Sequence, residues 1–301
     1  MKVKYFNDNW INHDAITLTI GNFDGLHRGH LKLIEILKTY KDTKHALMTF
    51  NPHPKIHFKV KDFKVLQSVE NKIKMLEDQD IDYLFLVNFD SDTASLTVDQ
   101  FINKLKDLKV KRIIVGSDFR FANKASGSVS DLKKHFEVII ADDISSIDNV
   151  RISSSYIREL LLDGKIEEAN NLLGYRYFID GFVEHGNKVG RTLGFPTANV
   201  KYDNSFLPGN GVFVTRVLIL NNWYYGVCNI GNNPTVNYSE TKKVEVFLLD
   251  FNEVIYEKEV KVEFIKKLRD EIKFDNINLL IEQMNLDVKN TKNYIKNNNL
   301  W

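Results

Sequence analysis

From Ala15 to Ala141, short apolar runs alternate with amphipathic stretches, and this alternation restricts the fold more than any other feature of the chain. Ala15–Ile20, His45–Phe50, Tyr83–Val87, Arg112–Val115 and Val138–Ala141 read as buried strands. Between them Leu33, Ile34, Leu37 and Tyr40 fall at helical spacing, and Val69–Leu76, Val98–Leu108 and Val129–Phe136 read as helices. The run Tyr83–Val87 is apolar at every position, as suits a central parallel strand covered on both faces. Strand–helix alternation of this kind predicts an α/β domain with a doubly wound parallel sheet. Helices over Ser153–Leu162 and Ile166–Leu173 follow it.

Near Gly174 the texture changes. Tyr177–Val183, Val212–Leu220, Trp223–Ile230, Val244–Leu249 and Lys258–Phe264 read as strands separated by short turns such as Asn221-Asn222. Closely spaced strands predict a small antiparallel β-barrel. A C-terminal helix begins around Ile277, Leu280, Ile281 and Met284. A chain of 301 residues is also more than one core usually serves. The expected domains are therefore 1–175 and 176–301, with the tail from Lys296 to Trp301 frayed.

The 41 basic and 40 acidic side chains nearly cancel, so no global field draws the protein to nucleic acid or an anionic membrane. Cys228 is the only cysteine, which excludes an intrachain disulfide and a thiolate metal cluster and suits a reducing compartment. The N-terminus lacks the apolar core of a signal peptide, and no stretch approaches the roughly 20 apolar residues that span a bilayer. The expectation is a cytoplasmic protein with small-molecule partners and neither a nucleic-acid nor a membrane partner. Its oligomeric state is not written in the composition.

The segment Gly21-Asn22-Phe23-Asp24-Gly25-Leu26-His27-Arg28-Gly29-His30 follows the first buried strand and opens a helix. A turn there offers free backbone N–H groups and a positive helix end at the edge where open α/β sheets bind ligands. Glycines let phosphate approach the backbone. His27 and His30, three apart, share a helix face and can donate hydrogen bonds to phosphates as charge builds on them. Two surface histidines in an ordinary turn would also satisfy the residue types. A zinc pair is disfavoured, because no third ligand follows at the usual spacing.

Three later segments add to this turn. Asn51-Pro52-His53-Pro54 makes a stiff loop that can wall a flat ligand. Gly116-Ser117-Asp118-Phe119-Arg120-Phe121 places Asp118 and Arg120 just beyond an apolar strand, with the two Phe rings available to a ligand or to the core. Ser153-Ser154-Ser155-Tyr156-Ile157-Arg158 gives hydroxyls at a helix start, either as caps or as a phosphate clamp with Arg158. Together these segments resemble the HxGH nucleotidyltransferases, and the "NFDG" form is similar to the FMN adenylyltransferase module of bacterial FAD synthetase. Ala122 stands where that family usually has glycine, and Ser155 where it has threonine.

In the second half, Gly186 to Asn199 reads GNKVGRTLGFPTAN. It is neither a Walker loop nor a Rossmann fingerprint. By composition it suits a glycine-rich surface loop, or a cover for phosphates that uses Lys188 and Arg191. Thr197 and Asn199 sit two apart, so an extended chain points both to one face, where their hard oxygens suit Mg²⁺. Glu245 is the only charged residue within Val244–Leu249. Desolvation would make such a carboxylate a better general base. The PTAN stretch, Gly226-Val227-Cys228-Asn229-Ile230-Gly231, the strand of Glu245 and Leu268-Arg269-Asp270-Glu271 resemble, in order, the motifs of riboflavin kinase.

Along nearly the full length the chain thus resembles the bifunctional riboflavin kinase/FMN adenylyltransferase family. The resemblance implies that riboflavin becomes FMN in the second domain and FMN becomes FAD in the first, each with ATP and Mg²⁺. In the first domain it implies charge stabilisation by His27, His30 and Arg158. ATP would contact Gly21, Asn22, Phe23, Asp24, Gly29, Ser153 and Ser154, and flavin Asn51, Pro54, Asp118 and Arg120. In the second it implies Glu245 as base and ATP at Gly186, Arg191, Gly194, Thr197 and Asn199. Thr197 and Asn199 would hold the metal, with flavin near Arg269 and Glu271.

Overall fold

A computed structural model describes residues 1–6, 12–141, 150–185, 194–203, 205–232 and 242–300. The chain forms two compact units, Met1–Ser154 and Ser155–Trp301. The first holds a sheet built from β1 (Lys2–Tyr5), β2 (Ile16–Ile20), β3 (Lys44–Asn51), β4 (Tyr83–Asn88), β5 (Val110–Gly116) and β8 (Glu137–Ala141). Its order is β1-β4-β3-β2-β5-β8, with every pairing parallel. A short antiparallel ribbon of β6 (Arg120–Phe121) and β7 (Gly127–Ser128) stands apart. Helices α1 (Arg28–Lys38), α3 (Val69–Glu77), α5 (Val98–Asp107) and α6 (Val129–Lys133) follow the strands, with single turns α2 (Pro54–His57) and α4 (Ser91–Ser95) between them. Ile16, Leu18, Phe85 and Ile113 are fully buried on one side of the sheet, and Leu47 and Leu84 join Phe23 and Ile34 on the other. That two-sided burial is what a parallel sheet needs.

The strand order runs outward from β2 in both directions, so β2 and β5 flank the point where the winding reverses. The crevice beyond the carboxyl ends of strands at such a point is where open α/β sheets take ligands. Gly21 follows β2 there.

The second unit begins at Ser155, within α7 (Ser154–Leu162), and continues into α8 (Ile166–Leu173). Six strands follow: β9 (Phe178–Glu184), β10 (Thr197–Tyr202), β11 (Gly211–Ile219), β12 (Asn222–Asn232), β13 (Lys242–Leu248) and β14 (Glu259–Arg269). They close into an antiparallel barrel in the order β10-β13-β12-β11-β14-β9. Alternation is plain in β13, where Val244, Val246 and Leu248 are buried while Glu245 and Phe247 face outward and are half-covered. The helix α9 (Ile277–Asn297) closes the chain.

Two expectations change. The short strand β1, with Lys at positions 2 and 4, carries no apolar signal and is held by its register with Tyr83 to Leu86 of β4. The tail does not fray up to Leu300. The Leu300 N–H donates to the Ile295 carbonyl at 3.1 Å, its own carbonyl accepts from the Tyr225 hydroxyl, and its side chain packs with Val214, Leu249 and Ile295. One apolar anchor outweighs the Asn-rich run before it. Trp301 lies outside the described residues.

Candidate active sites

In the first unit, the turn after β2 is bent tightly. Phe23, Gly25 and Leu26 have φ of 46°, 80° and 39°. Positive φ on Phe and Leu is costly and persists only where neighbours fix it. The neighbours are identifiable. The Phe23 ring is buried against Leu47 and Leu84. Asp24 is buried, and its carboxylate accepts the Leu66 N–H at 2.8 Å. The Ser154 hydroxyl donates to the Asp24 carbonyl at 2.8 Å. The Asn22 carbonyl accepts from the Thr49 hydroxyl at 2.9 Å and from Lys72 Nζ at 2.7 Å.

His27 caps α1, and its Nδ1 faces the His30 N–H at 3.4 Å. The two imidazoles stack with centroids 3.6 Å apart and planes 16° apart. Gly29 permits this arrangement, because a Cβ there would lie 3.0 Å from the His27 ring. Burial pushes His27 down to about 4, against the pull of Asp24. His30 is half-buried by surface, but its Nδ1 is enclosed without a partner among the described residues. Burial first, then His27 and Lys72, hold its pKa well below the usual histidine value. Both rings are therefore neutral near pH 7, at the positive end of a helix.

Asn51 ends β3 in register with Asn88 of β4, and Pro54 opens α2, so both lie at the same carboxyl edge of the sheet. Asp118 is exposed and paired with Arg151 at 2.8 Å, and that hydrogen bond holds its carboxyl below the ordinary range. Arg120 is exposed on β6. Phe121 belongs to the core against Phe101 at 5.1 Å, so core packing accounts for it, and Phe119 stacks behind it at 6.0 Å. Arg158 lies on α7 in the second unit, its guanidinium 5.8 Å from the Phe206 ring centre. Ala122 has φ 64° and ψ −175°, a conformation that glycine adopts without penalty. Relief of roughly 1–3 kcal/mol of strain outweighs roughly 0.5–1 kcal/mol of added chain entropy. Ala122→Gly is expected to stabilise the first unit by about 1 kcal/mol in denaturant melts, and a lowered midpoint would contradict the strain.

In the second unit the ladder sets the site. Asn199 of β10 pairs with Glu245 of β13, which pairs in turn with Asn229 of β12, and Thr197 pairs with Phe247. Residues two apart share a face, so Thr197, Asn199, Glu245, Phe247 and Asn229 form one outward patch. Thr197, Glu245, Phe247 and Asn229 line a cavity of about 290 Å³ whose other walls include Phe195, Val212, Val227, the Arg269–Phe274 stretch and α9 residues from Leu280 to Val288. A second hollow of about 290 Å³ also contains Thr197 and Asn199, with Phe251 and Tyr256 opposite. Thr197 is shared by both. Buried behind Glu245, the Cys228 thiol is pushed up by desolvation and then by that carboxylate.

Arg269 does not point freely at the cavity. Its guanidinium grips the buried Asp287 of α9 at 2.7 and 3.0 Å, and Gln283 supports the same carboxylate at 2.9 Å. Glu271 accepts from Asn210 at 2.9 Å and comes so close to Gly231 that a Cβ there would lie 2.0 Å from its oxygen. Gly194 is described, with φ 86°, whereas Gly186 and Arg191 lie outside the described residues. Sequence reasoning passed over Lys72 and Asp287, and took Asn229 only as part of the Gly226–Gly231 motif, with no role. Lys72 had a signal, since it shares the apolar stripe of α3 with Val69, Ile73 and Leu76. Asp287 had none, because only helix docking brings it in, and strand register alone sets Asn229 beside Glu245.

The FAD synthetase family model matches residues 10–156, and the riboflavin kinase model matches residues 173–295. A protein of Buchnera aphidicola (from Schizaphis graminum) named bifunctional riboflavin kinase/FMN adenylyltransferase is 38% identical over 294 residues, covering 92% of this chain and 93% of the relative. The Bacillus subtilis protein of that name is 38% identical over 294 residues, covering 93% and 92%. A crystal structure described as the macrolide-efflux protein of Streptococcus pneumoniae superposes with a TM-score of 0.86 at 32% identity, over 97% of this chain and 99% of that one. Efflux is that protein's description; among the described residues here, no helix is long and apolar enough to cross a membrane. With two family models in order and named relatives above 30% identity over nine-tenths of its length, the chain belongs to the bifunctional riboflavin kinase/FMN adenylyltransferase family.

Proposed function

We propose that residues 176–301 phosphorylate riboflavin with ATP to FMN and ADP, and that residues 1–175 adenylylate FMN with a second ATP to FAD and pyrophosphate. The observation that carries this reading is that each half holds its own constellation, the stacked His27/His30 turn in one and the Asn199–Glu245–Asn229 ladder in the other. In the first, an FMN phosphate oxygen attacks the α-phosphorus of ATP and the bond to pyrophosphate breaks. His27, His30 and Arg158 bear the charge that passes to the leaving group. The ATP lies along Gly21 to Asp24, Gly29, Ser153 and Ser154, and the flavin lies toward Asn51, Pro54, Asp118 and Arg120.

In the second, Glu245 takes the proton of the ribityl hydroxyl, whose oxygen attacks the γ-phosphorus as ADP leaves. The flavin fills the cavity under α9 near Arg269 and Glu271, and ATP takes the hollow beside Tyr256 and Asn199, so the two meet at Thr197. Gly186, Arg191 and Gly194 cover its phosphates. Thr197 and Asn199 offer two neutral hard oxygens, and among the described residues no cluster of three or more His, Cys, Asp or Glu could hold a metal. That donor set fits Mg²⁺ arriving on ATP, where it neutralises phosphate charge. The same reading places the enzyme in the cytoplasm, with flavins and ATP as partners and no nucleic-acid or membrane partner.

Incubating the purified chain with riboflavin, ATP and Mg²⁺, under air and with reduced flavin, tests this directly. FMN should appear first and FAD second. Absence of both products, with FMN supplied separately in a parallel reaction, would overturn both assignments.

A further inference from the structure

Lys72 is an expensive residue to bury. It is 6% exposed, on the inner face of α3, beneath the Gly21–His30 turn. Burial drives its pKa down to about 8, against the pull of Asp24. A methionine would fill the same space without that cost. The ammonium instead makes two hydrogen bonds, to the Asn22 carbonyl at 2.7 Å and to the Thr49 hydroxyl at 3.1 Å, and Thr49 donates to the same carbonyl at 2.9 Å. Two donors from two elements, α3 and β3, thus converge on one peptide oxygen.

That oxygen belongs to the peptide joining Asn22 to Phe23. In a planar trans peptide the carbonyl and the following N–H point in opposite directions. Drawing the Asn22 carbonyl inward therefore turns the Phe23 N–H away from α3. Among the described residues, that N–H donates to no protein group. Phe23 is fully buried, so leaving that donor unpaired is costly. Phe23 also carries the unfavourable φ of 46°, so this peptide orientation needs a constraint to hold it.

We propose that Lys72 is a positioning residue of the first site: by pinning the Asn22 carbonyl it holds this peptide orientation and the strained turn that carries His27 and His30. This rests on the reading of that turn as the ATP site. Lys72 does not touch the reacting atoms. It acts through one peptide plane and through its positive charge beside His30, which opposes protonation of that ring. The sequence shows the residue type, but only the packing of α3 against β3 and the turn shows what it grips.

The test uses the full chain with Lys72→Met, which keeps the volume and removes the donor. FMN-to-FAD conversion at saturating ATP is expected to fall about thirtyfold in kcat, with riboflavin-to-FMN conversion by the same preparation within about twofold. Lys72→Gln, which keeps a shorter donor, should recover part of the loss. A merely structural lysine would instead make the activity track the folded fraction measured by thermal melting, and no rescue by Gln would be seen. FAD formation by folded Lys72→Met within about threefold of wild type overturns the proposal. If that variant does not fold, Thr49→Val removes one arm of the triangle; an adenylylation loss of about fivefold at unchanged melting temperature supports the role, and a wild-type rate overturns it. Failure of the wild-type chain to make FAD from FMN would overturn the site assignment itself, which is a different result from a wild-type rate in the variants.

Discussion

Replacing His30 with alanine is expected to slow FAD formation about 1,000-fold, roughly 4 kcal/mol of transition-state stabilisation, while riboflavin is still phosphorylated. The size follows from the ring's position. His30 stacks on His27 at 3.6 Å in the first turn of α1 and has no protein partner at Nδ1 among the described residues. The ring is neutral, because burial, then His27 and the charge of Lys72, resist a proton. A polyphosphate acts in the opposite direction, since its charge favours the protonated ring and strengthens the hydrogen bond as negative charge moves to the leaving group. Alanine removes that donor and the surface on which His27 rests. The riboflavin kinase rate of the same protein serves as the internal control for folding. FAD formation within about tenfold of wild type would remove His30 from the chemistry. Loss of both activities in a folded chain would contradict the division into two sites.

Glu245→Ala should do the reverse. Riboflavin phosphorylation is expected to fall about 1,000-fold, within the range for loss of a general base, while added FMN is adenylylated at the wild-type rate. The carboxylate is half-buried between Asn199 and Asn229 on the barrel ladder and faces the cavity beneath α9. Glu245→Gln distinguishes its two possible contributions. The amide keeps the volume and the hydrogen-bonding reach but cannot take the proton, so a loss equal to that of alanine assigns the base. Full activity in the Gln variant would reduce Glu245 to an orienting role. Either result is read in one assay that separates riboflavin, FMN and FAD over time.

Much of the fold was legible because its strands and helices bury apolar residues at periods of two and of about 3.6. Tyr83–Val87 predicted a central strand and became β4, buried through Val87. The barrel was predicted from evenly spaced apolar runs, and β11, β12, β13 and β14 lie where those runs fall. The strand β10 was visible only as an extended stretch, because Thr197-Ala198-Asn199 is not apolar enough to announce one. It is a strand because β13 and β9 pair with it on either side. The identity of β1 came in the same way, from its partner and not from its own side chains.

The turn from Gly21 to His30 shows where local information ends. The glycines, the paired histidines and the helix start are written in order along ten residues, because backbone freedom and one helical turn are local properties. Glu245, alone among apolar residues, was likewise visible in its own strand. By itself the sequence determined the two kinds of architecture, the family, and the residue types that each site offers. The tertiary structure decided which groups those residues meet: Lys72 and Thr49 on the Asn22 carbonyl, Asn229 beside Glu245, and Asp287 on Arg269. It also showed that Ala122 holds a backbone shape suited to glycine. The side-chain hydrogen bonds among these pairings join residues from 18 positions apart, Arg269 and Asp287, to 50 apart, Asn22 and Lys72, and no periodicity within one segment encodes the partner that packing brings to it.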